Sequence, residues 1–242
     1  MTVVGGWKVG TVIATKRQTP TGKSIEIQVD GWPGNVAGQH VDVRLTAPDG
    51  YQASRSYSIA SAGSSDHIEL AVDRLPNGEV SPYLVDELRE GDQLELRGPL
   101  GGWFVWRPTQ TEPVQLIAGG SGIVPLIAML RAHAAAASTA TMRLLYSVKT
   151  PADRFFAEEL DASGSTDAES HTFVYTRAVP PGWPVKPGRV TKESLAASTI
   201  PAAEHPAVFV CGPTPFVEAV ATWLVELGHD PSRIKTERFG GN

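Results

Sequence analysis

The 242 residues carry 41% hydrophobic and 19% charged side chains, which excludes a disordered chain and suffices for one large or two small cores. A net charge of -5, from 21 Lys and Arg against 26 Asp and Glu, argues against phosphate-backbone binding and so against nucleic acid as a partner. The single cysteine cannot form an internal disulfide, a cysteine zinc site or a four-thiolate iron–sulfur cluster, so redox chemistry here calls for an organic cofactor or a partner.

The opening MTVVGGWKVG has no basic stretch leading into an apolar run. The longest mostly apolar stretch, 123–137, is interrupted by Pro125, Arg131 and His133 and is too short to span a bilayer. A cytoplasmic protein without a membrane span is expected. Six short β-rich runs follow in chain order: 11–17, 24–30, 40–47, 55–61, 67–74 and 93–99. Pro- and Gly-containing turns at 19–22, 33–35, 48–50 and 76–78 separate them, which predicts a small antiparallel barrel or sandwich. Residues 81–88, SPYLVDEL, break the series as a short helix with Ser81 as N-cap and Pro82 at its first position.

From about Gly101 strands and helices alternate. Strands are predicted at 114–118, 142–148, 171–177, 207–212 and 233–239, and helices at 123–137, 151–160, 190–198 and 215–227. This is the pattern of βαβ crossovers and a parallel sheet covered on both faces. Gly228 suits the C′ position of the last helix. The change of pattern predicts two domains, 1–107 and 108–242.

Two apparent motifs fail on spacing. Thr21-Gly22-Lys23-Ser24 lacks the earlier glycine of a P-loop, having Arg17 there, and lies between strands. Ser121 is not a nucleophile elbow, because the required second glycine falls on Ile123. The six histidines show no ligand spacing, so no metal site is expected.

Three segments carry more chemistry. Gly119-Gly120-Ser121-Gly122 joins a buried strand to a helix, with Pro125 in the first helical turn. It reads as a cradle for a pyrophosphate or as a tight turn with no ligand. In Arg55-Ser56-Tyr57-Ser58, alternation places Arg55 and Tyr57 on one face. That pair suits a phosphorylated planar ligand, or is an ordinary surface pair. Cys211-Gly212-Pro213 ends a strand at the carboxyl edge of the sheet, where ligands of open α/β sheets bind; it also fits a small buried residue at a strand end.

In order, RSYS (55–58), GEVS (78–81) preceded by Val72-Asp73-Arg74, GPLGGWF (98–104), GGSGIVPL (119–126), CGP (211–213) and ERF (237–239) resemble the ferredoxin–NADP reductase superfamily of flavoproteins. The resemblance spans nearly the whole chain. It implies a two-domain fold, a Greek-key β-barrel for flavin followed by a Rossmann-like α/β nucleotide domain, and an FAD-dependent NAD(P)H oxidoreductase. It implies that Arg55 and Ser56 lie at the flavin, with Arg55 on its phosphate or ring edge. Tyr57 stacks on the ring, and Ser58 hydrogen-bonds near N5. Val72, Arg74, Gly78, Val80 and Ser81 belong to the flavin pyrophosphate segment. Gly120, Ser121, Gly122 and Pro125 form the nicotinamide dinucleotide loop. Cys211, with Gly212 and Pro213, lies beside nicotinamide C4. Glu237 approaches the flavin from the last strand, and Phe239 is the candidate cover of its ring.

Lys149, Thr176, Arg177 and Arg189 occupy positions resembling those that bind the ribose phosphate of NADPH, which favours NADPH while allowing NADH. With no cysteines for a fused cluster, the resemblance implies a stand-alone reductase passing electrons in trans to a ferredoxin, a Rieske-type protein or an oxygenase component. Two other readings stand beside it. One is a flavin reductase releasing free reduced flavin, and the other is a non-enzymatic flavin- or nucleotide-binding subunit.

Overall fold

The computed structural model describes residues 6–164 and 169–239, so the first half of the opening segment and Gly240-Gly241-Asn242 lie outside the described residues. All six early runs are strands: β1 (Lys8–Thr19), β2 (Gly22–Gln28), β3 (His40–Thr46), β4 (Gln52–Ser58), β5 (His67–Asp73) and β6 (Gln93–Leu100). They form one antiparallel sheet in the order β4-β3-β6-β1-β2-β5. A bridge between Ile59 and Leu70 joins its two ends and closes a barrel. Alternation fills that barrel. Ile25 and Ile27 of β2 are fully buried around exposed Glu26, and Val41, Val43, Leu94 and Leu96 meet them from other strands.

One end of the barrel is plugged by a helical turn, Tyr83–Glu87, that buries Leu84 and Val85. Ser81 is not its N-cap. Ser81 lies inside the helical segment, and its hydroxyl accepts a hydrogen bond from Leu75 N–H at 3.0 Å, closing the preceding loop. A serine hydroxyl can serve a nearby loop N–H in place of a helix-end one.

The second sheet is parallel. Its strands are β7 (Val114–Gly119), β8 (Met142–Val148), β9 (Glu169–Tyr175), β10 (Ala207–Pro213) and β11 (Ile234–Phe239), in the order β11-β10-β7-β8-β9. Helix α1 (Ile123–Ala135) covers one face; α3 (Lys192–Ser198) and α4 (Thr214–Glu226) cover the other. Double covering explains why β7 is buried along its whole length and shows no alternation. Thr191 and Ser194 cap α3 reciprocally, starting that helix later than its sequence pattern predicts. Gly228, at φ +91°, ends α4 as expected. No helix among the described residues is long and apolar enough to cross a membrane.

The helix predicted over 151–160 is interrupted. Only Pro151–Asp153 and α2 (Ala157–Ala162) are helical, and Phe156 between them sits at φ +55°. Left-handed backbone costs a non-glycine residue about 1–2 kcal/mol, whereas burying a phenylalanine gains roughly 1.5–3 kcal/mol. Phe155 and Phe156 are both buried, with Phe155 packed so closely over Gly22 of β2 that a Cβ there would lie 2.2 Å from its ring. Gln18 of β1 accepts the Phe156 N–H at 3.0 Å. The barrel thus pulls the two rings out of helical phase. The halves also share one core, in which Ala37, Ala60, Ala71 and Phe104 of the first half join the buried face of α1.

Candidate functional site

A cavity of about 260 Å³ opens where the two halves meet, lined by β4, the end of β5, the loop 75–81, the start of α1 and Phe239. All four residues Arg55, Ser56, Tyr57 and Ser58 border it, not Arg55 and Tyr57 alone. The reason is topological. Strand β4 ends the sheet order and pairs along its length only with β3, so the cavity reaches it from an open edge and meets residues of both parities.

Three of these side chains, Arg55, Ser56 and Tyr57, are held by neighbours. Ser56 donates its hydroxyl to Asp42 at 2.6 Å, and Arg97 holds the same carboxylate at 2.6 Å. Burial opposes that charge, but these hydrogen bonds outweigh it and keep Asp42 below its ordinary pKa. Tyr57 leans on the barrel core, and burial raises its phenol far above the ordinary value, leaving a neutral ring at the cavity. The Arg55 guanidinium pairs with Glu79 and donates to the Ser54 carbonyl at 2.8 Å. Tyr51 donates to the other oxygen of Glu79 at 2.6 Å. Glu79 escaped the sequence reading as a site residue, although it is the one acidic residue in the 75–81 loop.

Val72 lines the cavity, as do Gly78, Val80 and Ser81. Arg74 does not; it turns onto Asp86 at 2.6 Å, beside the helical turn. Gly78 is required by a close approach, since a Cβ would lie 2.9 Å from the Ser81 hydroxyl.

On the other side, Gly120–Gly122 forms a tight turn between β7 and α1, with Ser121 and Val124 reaching the cavity. A Cβ on Gly122 would lie 2.2 Å from the Cys211 carbonyl oxygen, so the glycine loop and the Cys211-Gly212-Pro213 segment touch backbone to backbone. Gly120 has φ +57° and open space where a Cβ would point. Pro125 is buried in the first turn of α1, where no N–H is missed.

Strands β10 and β11 bring the last candidates together. Cys211 stands beside Glu237, and Pro213 beside Phe239. Burial first, then the Glu237 carboxylate, pushes the Cys211 thiol well above its ordinary pKa, so it is a neutral packing group rather than a thiolate. Burial also raises Glu237 to about 7, and its buried Oε2 has no hydrogen-bond partner. Phe239 is 36% exposed at the cavity mouth.

Lys149, Thr176, Arg177 and Arg189 lie away from this cavity, at the carboxyl ends of β8 and β9. Arg177 N–H donates to the Lys149 carbonyl at 2.9 Å, and Gly188 N–H to the Tyr175 carbonyl at 2.9 Å, which draws the three cations to one edge. All three are exposed, and none makes an ion pair among the described residues. No group of His, Cys, Asp or Glu among the described residues is arranged to hold a metal ion.

A flavin dinucleotide fits these donors and spaces. A neutral aromatic ring and four serines border the cavity, an arginine stands at its mouth, and Gly120 leaves a clear cradle on the nucleotide side. Comparison with known proteins agrees. Residues 30–105 match the oxidoreductase FAD-binding domain family, and residues 116–222 match the oxidoreductase NAD-binding domain family. A flavohemoprotein of Rhodopirellula baltica is 30% identical over 98% of this chain and 62% of its own length. A glycine betaine monooxygenase reductase subunit of Pseudomonas aeruginosa is 31% identical over 84% of this chain and 56% of its own. The chain therefore spans less than two thirds of these relatives. Among solved structures, the flavohem-like FAD/NAD-binding domain of nitric oxide dioxygenase from Vibrio cholerae superposes with a TM-score of 0.86, at 24% identity, covering 97% of this chain and 99% of that domain.

Proposed function

The chain belongs to the ferredoxin–NADP reductase superfamily, and from that membership we propose that it is an FAD-dependent NAD(P)H oxidoreductase that passes electrons to a separate acceptor. The observation that carries the reading is the shared cavity, where Arg55–Ser58 of the barrel and Ser121 and Val124 of the nucleotide loop face one space. Bound FAD supplies the redox chemistry, taking a hydride and releasing electrons onward. The protein supplies position and charge.

In this reading Arg55 turns from Glu79 to the flavin phosphate, Tyr57 lies against the ring, and Ser58 offers a hydroxyl at its edge. The loop from Gly78 to Ser81 admits the pyrophosphate backbone. Gly120 and Gly122 let the dinucleotide approach, with the N-terminus of α1 favouring its charge. Cys211, neutral and buried, shapes the place of the nicotinamide. Glu237, with a pKa of about 7, holds or gives up a proton at its carboxyl in the neutral range. The three free cations at 149, 177 and 189 support NADPH over NADH, because a ribose phosphate adds negative charge that they would meet. A ferredoxin, Rieske-type protein or oxygenase component is the acceptor proposed, in keeping with the name of the Pseudomonas relative.

The test is anaerobic mixing of the purified, flavin-loaded protein with NADPH and with NADH. Rapid bleaching of the flavin, faster with NADPH, is expected. Flavin that stays oxidised with both would remove the enzymatic reading, and flavin lost on gel filtration would favour a flavin reductase.

A further inference from the structure

The two halves must be held in one relative position for the cavity to exist. In their shared core Ala37, Ala60 and Ala71 and the rings of Phe104 and Trp106 meet α1 and the parallel sheet. Apolar contact is non-directional. Directional bonds add what it does not specify, and one residue concentrates them. Arg131 of α1 donates to Glu159 of α2 at 2.8 Å and 2.7 Å, to the Ala60 carbonyl at 3.1 Å, and to Glu69 of β5. Its guanidinium also lies over the Phe156 ring at 5.0 Å. Burial opposes the charge, yet the hydrogen bonds and charges of Glu159 and Glu69 prevail and raise its pKa.

The placement of this cluster gives it leverage. Helix α1 starts at the glycine loop, with Val124 in the cavity wall, and Arg131 lies about 12 Å further along from Ile123. Strand β5 ends in the same wall at Val72 and Asp73, and Glu69 lies about 10 Å back along it. Two stiff rods thus meet at the cavity and are tied again at a distance by Arg131 and Glu69. We infer that Arg131 is a positioning residue, which through Glu69 fixes the nucleotide loop against the flavin wall and so sets the distance over which hydride is transferred. Glu159 holds the same guanidinium but belongs to the same half as Arg131, so it anchors the arginine without joining the halves. The inference rests on the oxidoreductase reading above for its kinetic consequence, not for the clamp itself.

The pair of carboxylates supplies its own control. Glu69→Gln and Glu159→Gln each remove one charge from the same arginine while keeping shape. Stopped-flow reduction by NADPH should slow roughly 10–100-fold in Glu69→Gln, as expected for a small misplacement of reacting atoms. The Kd for the oxidised dinucleotide should stay within about twofold of the parent, since its loop is intact. Glu159→Gln should reduce at nearly the parent rate, and Arg131→Lys should behave like Glu69→Gln because one ammonium cannot span both carboxylates and a carbonyl. Equal slowing by both glutamine variants, or a binding loss that accounts for the slowing, would overturn the inference. Amide hydrogen exchange without dinucleotide reads the clamp independently. Glu69→Gln should raise exchange in β5 and in α1 together, whereas Glu159→Gln should raise it in α2. No joint rise would overturn the clamp. An unreduced parent protein would overturn only the oxidoreductase reading, and the exchange result would then decide the clamp alone.

Discussion

Glu237 should make the folded protein lose stability as the pH rises through the mildly acidic range. Its carboxyl is half-buried, its Oε2 has no hydrogen-bond partner, and burial lifts its pKa from 4.5 to about 7. At about 1.4 kcal/mol per pH unit, ionising it in the folded chain costs about 3 kcal/mol more than in the unfolded one. Below about pH 4.5 the group is protonated in both states and costs nothing. Between about 4.5 and 7 only the unfolded chain releases the proton, so stability falls as pH rises; above about 7 both are ionised and the loss levels off. Glu237→Gln keeps the shape and removes the titration. Urea unfolding of flavin-free protein, followed by circular dichroism from about pH 4 to 8.5, should therefore show the variant gaining about 3 kcal/mol on the parent. The other carboxylates titrate in both proteins and cancel. A difference that stays constant across the range to within about 0.5 kcal/mol would refute the argument that this carboxylate is buried without compensation.

Three further outcomes test the site. Arg55→Ala should weaken FAD binding roughly 10–100-fold, the loss of a charge-assisted contact, as read by flavin fluorescence titration; unchanged affinity would detach Arg55 from the cofactor. Cys211→Ala should slow flavin reduction roughly 10-fold while dinucleotide Kd stays within about twofold, and equal reduction rates in stopped flow would refute a place beside the nicotinamide. Arg177→Ala should raise the KM for NADPH roughly 10-fold more than that for NADH, and an equal rise in both would remove the phosphate argument.

The barrel and the parallel sheet were legible because their strands carry their own explanation. Ile25 and Ile27 alternate around Glu26, and the uninterrupted apolar run of β7 fits only a doubly covered strand. The glycine loop was legible for a related reason, since Gly120 needs its positive φ and Gly122 its lack of a Cβ whatever lies around them in sequence. The readings that failed share a different property. The 151–160 helix is broken by Phe155 and Phe156, whose partners Gly22 and Gln18 belong to the other half. Ser81, read as a helix N-cap, bonds backward to Leu75 across its loop instead.

Arg131 stood out in the sequence only as an interruption of an apolar stretch, and Glu237 only through the family resemblance, which put it near the flavin without describing its surroundings. In the structure the first grips both halves, and the second stands beside Cys211 with its buried Oε2 lacking a hydrogen-bond partner. Periodicity describes a residue by its own element, so it cannot describe one whose environment comes from elsewhere in the chain. The residues that spoil their element's pattern are therefore the ones to test first, because a site built at the meeting of two halves must be made of side chains that neither half alone would have chosen.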